Sequence, residues 1–286
     1  MQVIQLHHPY EPNQIPNEEV VMVLGFFDGV HKGHQKVIET GKKIAEEKGL
    51  KLAVMTFNQH PSIVFQKVLP ENMKYLTNHY QLREFTLIRM LEIINQNKNI
   101  TPGGTVFYGD SITEYCDLDK YYPEIETKYN CGIAGITSGM LLNFIDEGVI
   151  KYQPKNVVLM IGTNDLGNTV MESPRDIALN VKETIEIIHY NCLDTKIYLV
   201  APLPCLEMLH GYKATKQGLR SNDTLKMVFK EYKNIIPYDY VTLINPFMAL
   251  CNKKGQPVEN YYLDGLHIND DGYRAYTGVI KEKLID

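Results

Sequence analysis

The sequence predicts an α/β protein built on a parallel sheet. Three observations carry this. Short apolar runs rich in valine and isoleucine alternate with helix-like stretches along most of the chain. Glycine-containing motifs follow several of these runs directly, where βα turns belong. The composition, 44% hydrophobic and 22% charged, is that of a chain that packs a core.

The elements follow in order. Val20–Phe27 (VVMVLGFF) reads as a buried strand. Lys36–Lys48 reads as an amphipathic helix, with Val37, Ile38, Ile44 and Ala45 on its apolar side and Gly49 as its stop. Leu50–Phe57 (LKLAVMTF) is a second strand, completing a right-handed β-α-β unit with parallel strands. Prolines and polar turns over Asn58–Asn78 then interrupt the rhythm. Tyr80–Gln96 is helical in pattern, and Asn95–Gly104 is turn-rich. A second series has strands at Thr105–Tyr108, Val157–Ile161, Lys196–Val200 and Tyr240–Ile244. Helices fall between them, notably Ser173–His189, and Gly272–Leu284 is a final helix.

Two pieces of unequal size are expected, residues 1–76 and residues 77–286, since a domain averages about 150 residues. The second piece is large enough to bury a core alone, whereas the first has two strands and is marginal.

The 29 Lys and Arg against 34 Asp and Glu give a net charge of −5. That balance offers no general attraction for nucleic acid or anionic membrane. No apolar run approaches the roughly 20 residues of a membrane span. The start, MQVIQLHHPYEPNQ, lacks the basic and apolar regions of a secretory signal. Cys116, Cys131, Cys192, Cys205 and Cys251 form no C-x-x-C pair, so free thiols and a cytoplasmic location are expected.

Four motifs in the second piece carry chemistry. Gly109-Asp110-Ser111-Ile112-Thr113 follows the strand TVFY, and ligands of open parallel sheets bind beyond the carboxyl ends of strands. Ser111 there is a candidate nucleophile, with a helix start offering N–H groups to negative charge; Asp110 and Ser111 would serve equally as a helix cap. Asn130–Ser138 (NCGIAGITS) supplies Gly135, whose N–H could face an oxyanion, or it is a plain turn. Gly162-Thr163-Asn164-Asp165 follows VVLMI; Asn164 suits an oxyanion donor or an Asx-turn. Asp264-Gly265-Leu266-His267 offers a base for the serine and a carboxylate to orient it, or Asp264 and Asn269 cap the last helix.

Together these four blocks resemble the SGNH (GDSL-type) hydrolase superfamily over roughly Thr77 to Asp286. The resemblance implies a flavodoxin-like three-layer α/β/α sandwich around a parallel sheet, and hydrolysis through an acyl-serine with no metal and no cofactor. It implies Ser111 as nucleophile, His267 as base and then acid, and Asp264 as its orienter. The oxyanion hole would combine the Ser111 and Gly135 N–H groups with the Asn164 side chain. Pro202–Ser221, long and of mixed polarity, could overhang the site; its character points to a small ester with a short acyl chain.

The first piece holds Gly25–Gln35 (GFFDGVHKGHQ) between a strand and a helix. Two histidines three apart at a helix start could face a triphosphate, with Gly33 admitting close approach. A capped helix with incidental histidines is the alternative; a metal site is the weaker one, with no ligand-spaced carboxylate or cysteine beside them. The stretch, with Thr56–Pro61 and Tyr75-Leu76-Thr77, resembles the adenylyltransferase module of bacterial bifunctional riboflavin kinase/FMN adenylyltransferases (FAD synthetases). That implies a partial Rossmann-like β-α-β nucleotidyltransferase segment in which Phe27, Asp28, His31, Gly33 and His34 contact nucleotide. The family's later Ser/Thr-rich motif with its arginine is absent, as is the kinase module, and Asn58-Gln59 departs from the usual Asp-Pro. The expectation is weak ATP or FMN binding and incomplete FMN adenylylation. The open strand edges leave room for self-association into a homo-oligomer.

Overall fold

The computed structural model describes Ile4 and residues 15–24, 32–56, 83–167 and 172–285, and of residues 32–34 the backbone alone. The chain divides into two compact units, Met1–His79 and Tyr80–Asp286.

In the first unit, β1 (Val20–Leu24) and β2 (Lys51–Met55) pair in parallel, Val20 opposite Lys51 through Leu24 opposite Met55. The helix between them spans Lys32–Lys48, a full turn longer than its apolar pattern. It ends at Gly49, whose φ of 64° lets the Leu50 N–H turn back to the Ala45 carbonyl at 2.9 Å. Helix and strand approach closely at Gly41, where a Cβ would lie 2.3 Å from Val23 Cγ2. Among the described residues of this unit only Val23 and Ala45 are buried hydrophobics, while Met22, Leu24, Val37, Val54 and Met55 are exposed. Among the described residues, one helix over two strands covers little apolar surface.

Among the described residues the second unit has five parallel strands: β3 (Thr105–Gly109), β4 (Lys128–Gly132), β5 (Asn156–Met160), β6 (Lys196–Val200) and β7 (Val241–Ile244). Their order is β4-β3-β5-β6-β7, the doubly wound flavodoxin-like order. Alternation along the strands sorts side chains to two faces. Val106, Tyr108, Val157, Leu159, Ile197 and Leu199 join one core, under helices Pro174–Asn191 and Asn222–Ile235. Phe107, Val158, Met160, Tyr198 and Val200 join the other, under Tyr273, Tyr276 and Ile280 of helix Asp270–Leu284. Burial on both faces is why these strands read as continuous apolar runs.

One strand departs from the sequence reading. No strand is expected over Lys128–Gly132 (KYNCG), whose last three residues open the Asn130–Ser138 motif, yet it pairs in register with β3, Cys131 opposite Tyr108. It is an edge strand with Lys128, Tyr129 and Asn130 half-buried, so it lacks the valine and isoleucine signature.

Capping explains the helix ends. The Ser173 hydroxyl accepts the Asp176 N–H at 3.2 Å and the Asp176 carboxylate accepts the Ser173 N–H at 3.1 Å, a reciprocal pair that opens Pro174–Asn191. Asn269 Oδ1 accepts the Gly272 N–H at 3.1 Å, so the last helix starts at Asp270, two residues earlier than expected. All five cysteines are unpaired.

Candidate active site

The site begins where β3 ends. A Cβ at Gly109 would lie 2.2 Å from the Met160 carbonyl oxygen, so the turn runs too close to β5 for a side chain. Asp110 caps the single turn Ser111–Glu114: its Oδ1 accepts the Ile112 N–H at 3.0 Å. Asp110 is therefore the cap and Ser111 the first helical residue, its hydroxyl free for another partner. With one turn of helix there is little macrodipole, and the N–H groups of Ile112, Thr113 and Glu114 all donate to Asp110, so what this segment offers is the Ser111 N–H.

That partner is histidine. His267 Nε2 lies 3.0 Å from Ser111 Oγ, and His267 Nδ1 lies 2.6 Å from Asp264 Oδ2. The second carboxylate oxygen of Asp264 accepts the N–H groups of Leu266 at 2.9 Å and His267 at 2.8 Å. Partial burial alone would raise the Asp264 carboxyl, but the bonds from the His267 ring and the two amides outweigh it and hold it at about 2. Asp264 thus stays ionised beside the imidazole, and Asn269 does the helix capping.

The oxyanion candidates follow neighbouring strands. Ser111 comes after β3, Gly135 after β4 and Asn164 after β5, and β3 lies between the other two. Strand order reverses between β3 and β5, the switch point where such sheets bind ligands. Gly135 has φ of 74°, a left-handed conformation that favours glycine. The Asn164 side chain donates to the Ile136 carbonyl at 3.0 Å, which ties it to the Gly135 loop. Asp165 faces elsewhere, accepting the N–H and hydroxyl of Ser138 at 2.8 and 2.5 Å. The last block of the site is held by the Pro202–Ser221 segment: the Leu206 N–H donates to the Gly265 carbonyl at 2.8 Å.

Several residues at the site carry no signal in the sequence. The Tyr115 ring, exposed, stands 5.5 Å from the His267 ring. His210 Nε2 is 4.0 Å from Asp264 Oδ1. Phe85 packs at Gly135: a Cβ there would meet its ring at 3.5 Å. Arg220 is buried and donates to the Thr163 carbonyl. Burial pushes the Asp110 carboxyl up to about 7; Asp165 adds to the rise, while the Ile112 N–H, His267 and Arg220 oppose it. Tyr115 closes the turn that carries Ser111, whereas Phe85, His210 and Arg220 come from distant stretches of chain, so only folding brings them to the site.

Of the residues expected to contact nucleotide, Phe27, Asp28 and His31 lie outside the described residues, and Gly33 and His34 are described by their backbone in helix Lys32–Lys48. Among the described residues no cluster of three or more His, Cys, Asp or Glu is placed to hold a metal ion. Nor, among them, is any helix long and apolar enough to cross a membrane.

The model of the GDSL-like Lipase/Acylhydrolase family matches residues 107–275, more than half of the chain. The chain belongs to the GDSL-like Lipase/Acylhydrolase family. As a member it is a hydrolase, and its fold agrees with solved relatives. A Streptococcus pneumonia protein described as a platelet activating factor is 26% identical with a TM-score of 0.64, covering 74% of this chain and 99% of that one. A GDSL-like lipase from Bacteroides thetaiotaomicron is 22% identical with a TM-score of 0.55, covering 68% of this chain and 95% of that one.

This GDSL-like chain also carries an FAD synthetase match over residues 13–98. The bifunctional riboflavin kinase/FMN adenylyltransferase of Listeria monocytogenes is 51% identical over 77 residues, 27% of this chain and 24% of that protein. The chain thus spans about a quarter of the length of that curated relative. The FAD synthetase match runs through helix Glu84–Gln96, which packs in the second unit.

Proposed function

We propose that the second unit is a serine esterase that cleaves short-chain carboxylic esters through an acyl-serine intermediate. The observation that carries this is the continuous line Asp264–His267–Ser111, with its two contacts of 2.6 and 3.0 Å. A serine hydroxyl needs such a base near neutral pH.

The steps follow from those contacts. Ser111 Oγ attacks the ester carbonyl carbon as His267 Nε2 takes its proton, and Asp264 stabilises the imidazolium. The carbonyl oxygen becomes an oxyanion facing the Ser111 and Gly135 N–H groups and the Asn164 amide. Collapse breaks the bond to the alcohol oxygen, and His267 protonates the leaving alcohol. Water then attacks the acyl carbon, giving a proton to His267, and as the second collapse breaks the bond to Ser111 Oγ that proton passes from His267 to the oxygen, which releases the carboxylic acid and restores Ser111.

The test is hydrolysis of p-nitrophenyl acetate, butyrate and octanoate by the full chain beside Ser111→Ala. Activity lost in the variant and falling with acyl length supports the reading. Equal rates in both proteins overturn the serine mechanism, and a steep rise towards octanoate overturns the short-chain preference.

A second reading concerns the first unit. Its likeness to the FAD synthetase family supports weak binding of ATP or FMN by Phe27, Asp28, His31, Gly33 and His34, without completed adenylyl transfer. Isothermal titration of the full chain with ATP and with FMN tests it; no heat with either refutes it.

A further inference from the structure

We propose that Arg89 is a positioning residue for ester hydrolysis, holding the loop that presents the Gly135 N–H to the oxyanion. The proposal rests on the serine-esterase reading above. Arg89 lies on helix Glu84–Gln96, before the first residue of the GDSL-like family match.

The geometry is a two-pronged clamp. Arg89 Nε donates to the Gly132 carbonyl at 3.0 Å and a terminal guanidinium nitrogen donates to the Asn130 carbonyl at 2.8 Å. Those carbonyls belong to the end of β4, directly before the turn that carries Gly135. Edge strands present unpaired carbonyls on their outer side, and a planar guanidinium matches two of them at once. One turn earlier on the same helix, the Thr86 hydroxyl donates to the Ala134 carbonyl at 3.2 Å. Phe85 adds its ring against Gly135 itself.

The loop is fixed from its other sides too. Glu114 accepts the Ala134 N–H at 2.5 Å, and Asn164 donates to the Ile136 carbonyl at 3.0 Å. The two peptide groups that flank Gly135 are held as well: the Ala134 carbonyl accepts the Thr86 hydroxyl, and the Ile136 N–H donates to the Ile133 carbonyl at 3.3 Å. Among the described residues the Gly135 N–H itself meets no acceptor, so it remains available to a substrate oxygen. A site of this kind works when its donors are fixed before charge develops. Helix Glu84–Gln96 supplies that fixation from a stretch that matches a different family in sequence.

Arg89 also faces charge. Glu92, on its own helix, accepts from it at 3.0 Å, and Glu114, across the loop, lies within its field. The Glu92 pair is on the exposed side and provides a control: Glu92→Gln removes it while leaving both carbonyl bonds.

The experiment compares kcat and KM on p-nitrophenyl acetate for the full chain, Arg89→Met, Arg89→Lys, Glu92→Gln and Ser111→Ala, with thermal unfolding of each. Arg89→Met is expected to lower kcat roughly 10- to 100-fold, as sub-ångström misplacement of a reacting geometry does. KM should stay within about twofold, since the lost interaction forms only in the transition state. Arg89→Lys, able to reach one carbonyl, should fall between, and Glu92→Gln should match the parent. Wild-type kcat in a folded Arg89→Met overturns the proposal. So does a kcat deficit that tracks the unfolded fraction alone. If Arg89→Met does not fold, Thr86→Val decides: a fall in kcat at constant KM supports the clamp, and an unchanged kcat refutes it. Ser111→Ala separates the two levels. If it keeps parental activity, the serine-esterase reading fails; if it is inactive while Arg89→Met is normal, only the clamp fails.

Discussion

Arg220 donates its Nε–H to the Thr163 carbonyl across 3.0 Å from a buried position, beside the two buried carboxyl groups Asp110 and Asp165. It comes from the far end of the Pro202–Ser221 segment and reaches under the block that carries Asn164. Gly167 makes room for it, since a Cβ there would lie 1.8 Å from the guanidinium. Removing Arg220 takes a charged donor from the Thr163 carbonyl and leaves the two carboxyl groups without their neighbouring cation. Arg220→Met is expected to lower stability by about 1.5–3 kcal/mol. Thermal unfolding should then show a midpoint lower by about 3–12 °C for a unit of this size.

Asp264→Asn tests the orientation of His267. An amide in place of the carboxylate can present its NH₂ to the ring and leave the wrong tautomer facing Ser111. A loss of about 10³–10⁴ in kcat is expected, with KM little changed. The pH dependence follows from the lowered carboxyl, near 2 in the folded protein. Because the folded value is depressed, the stabilisation from this ion is present above the ordinary carboxylate range and is lost as pH falls through about 2. Asp264 therefore stays charged through neutral pH and supplies no acid limb there. A pH profile of kcat/KM with a limb that vanishes in Asp264→Asn but returns at the same pH in other variants would contradict this.

Asp110 works in the opposite direction. Its carboxyl is raised to about 7 by burial, so the folded chain holds a proton that the unfolded chain has released from about pH 4 upward. With more protons bound in the folded state, stability declines as pH rises between those values and levels off above about 7. Asp110→Asn keeps the oxygen that accepts the Ile112 N–H and removes the titration. Its unfolding midpoint should show a flatter slope between pH 5 and about 7 than the parent's.

Asn164→Ala removes one proposed oxyanion donor and the tie to Ile136. A fall of about 10²–10³ in kcat is expected, with a smaller effect on KM. Steady-state kinetics on p-nitrophenyl acetate measure it, and unfolding midpoints separate the kinetic loss from any loosening of the loop. Parental kcat in a folded variant would remove Asn164 from the mechanism.

Much of the second unit was legible because its central strands are buried on both faces. Val106–Tyr108, Val157–Met160 and Ile197–Val200 are aliphatic or aromatic throughout, and each strand is followed by its turn chemistry. β4 was not legible: its first three residues, Lys128, Tyr129 and Asn130, are only half-buried, and the two buried ones are a cysteine and a glycine, so KYNCG looks like loop. The residues of the four blocks were legible because each motif is local: a capped turn, two glycines at positive φ, and an Asp three residues before its His.

The sequence by itself determined the parallel α/β class, the four blocks and the likeness of the first 76 or so residues to a second family. These depend on the short-range rules of periodicity, capping and glycine turns. Only the tertiary structure decided that His267 Nε2 stands 3.0 Å from Ser111 Oγ, 156 residues away in the chain. It alone placed Arg89 on the β4 carbonyls and Arg220 beneath Thr163. Such contacts are set by which strands neighbour one another and how deeply each helix packs. Those are properties of the whole unit, and no local stretch of residues encodes them.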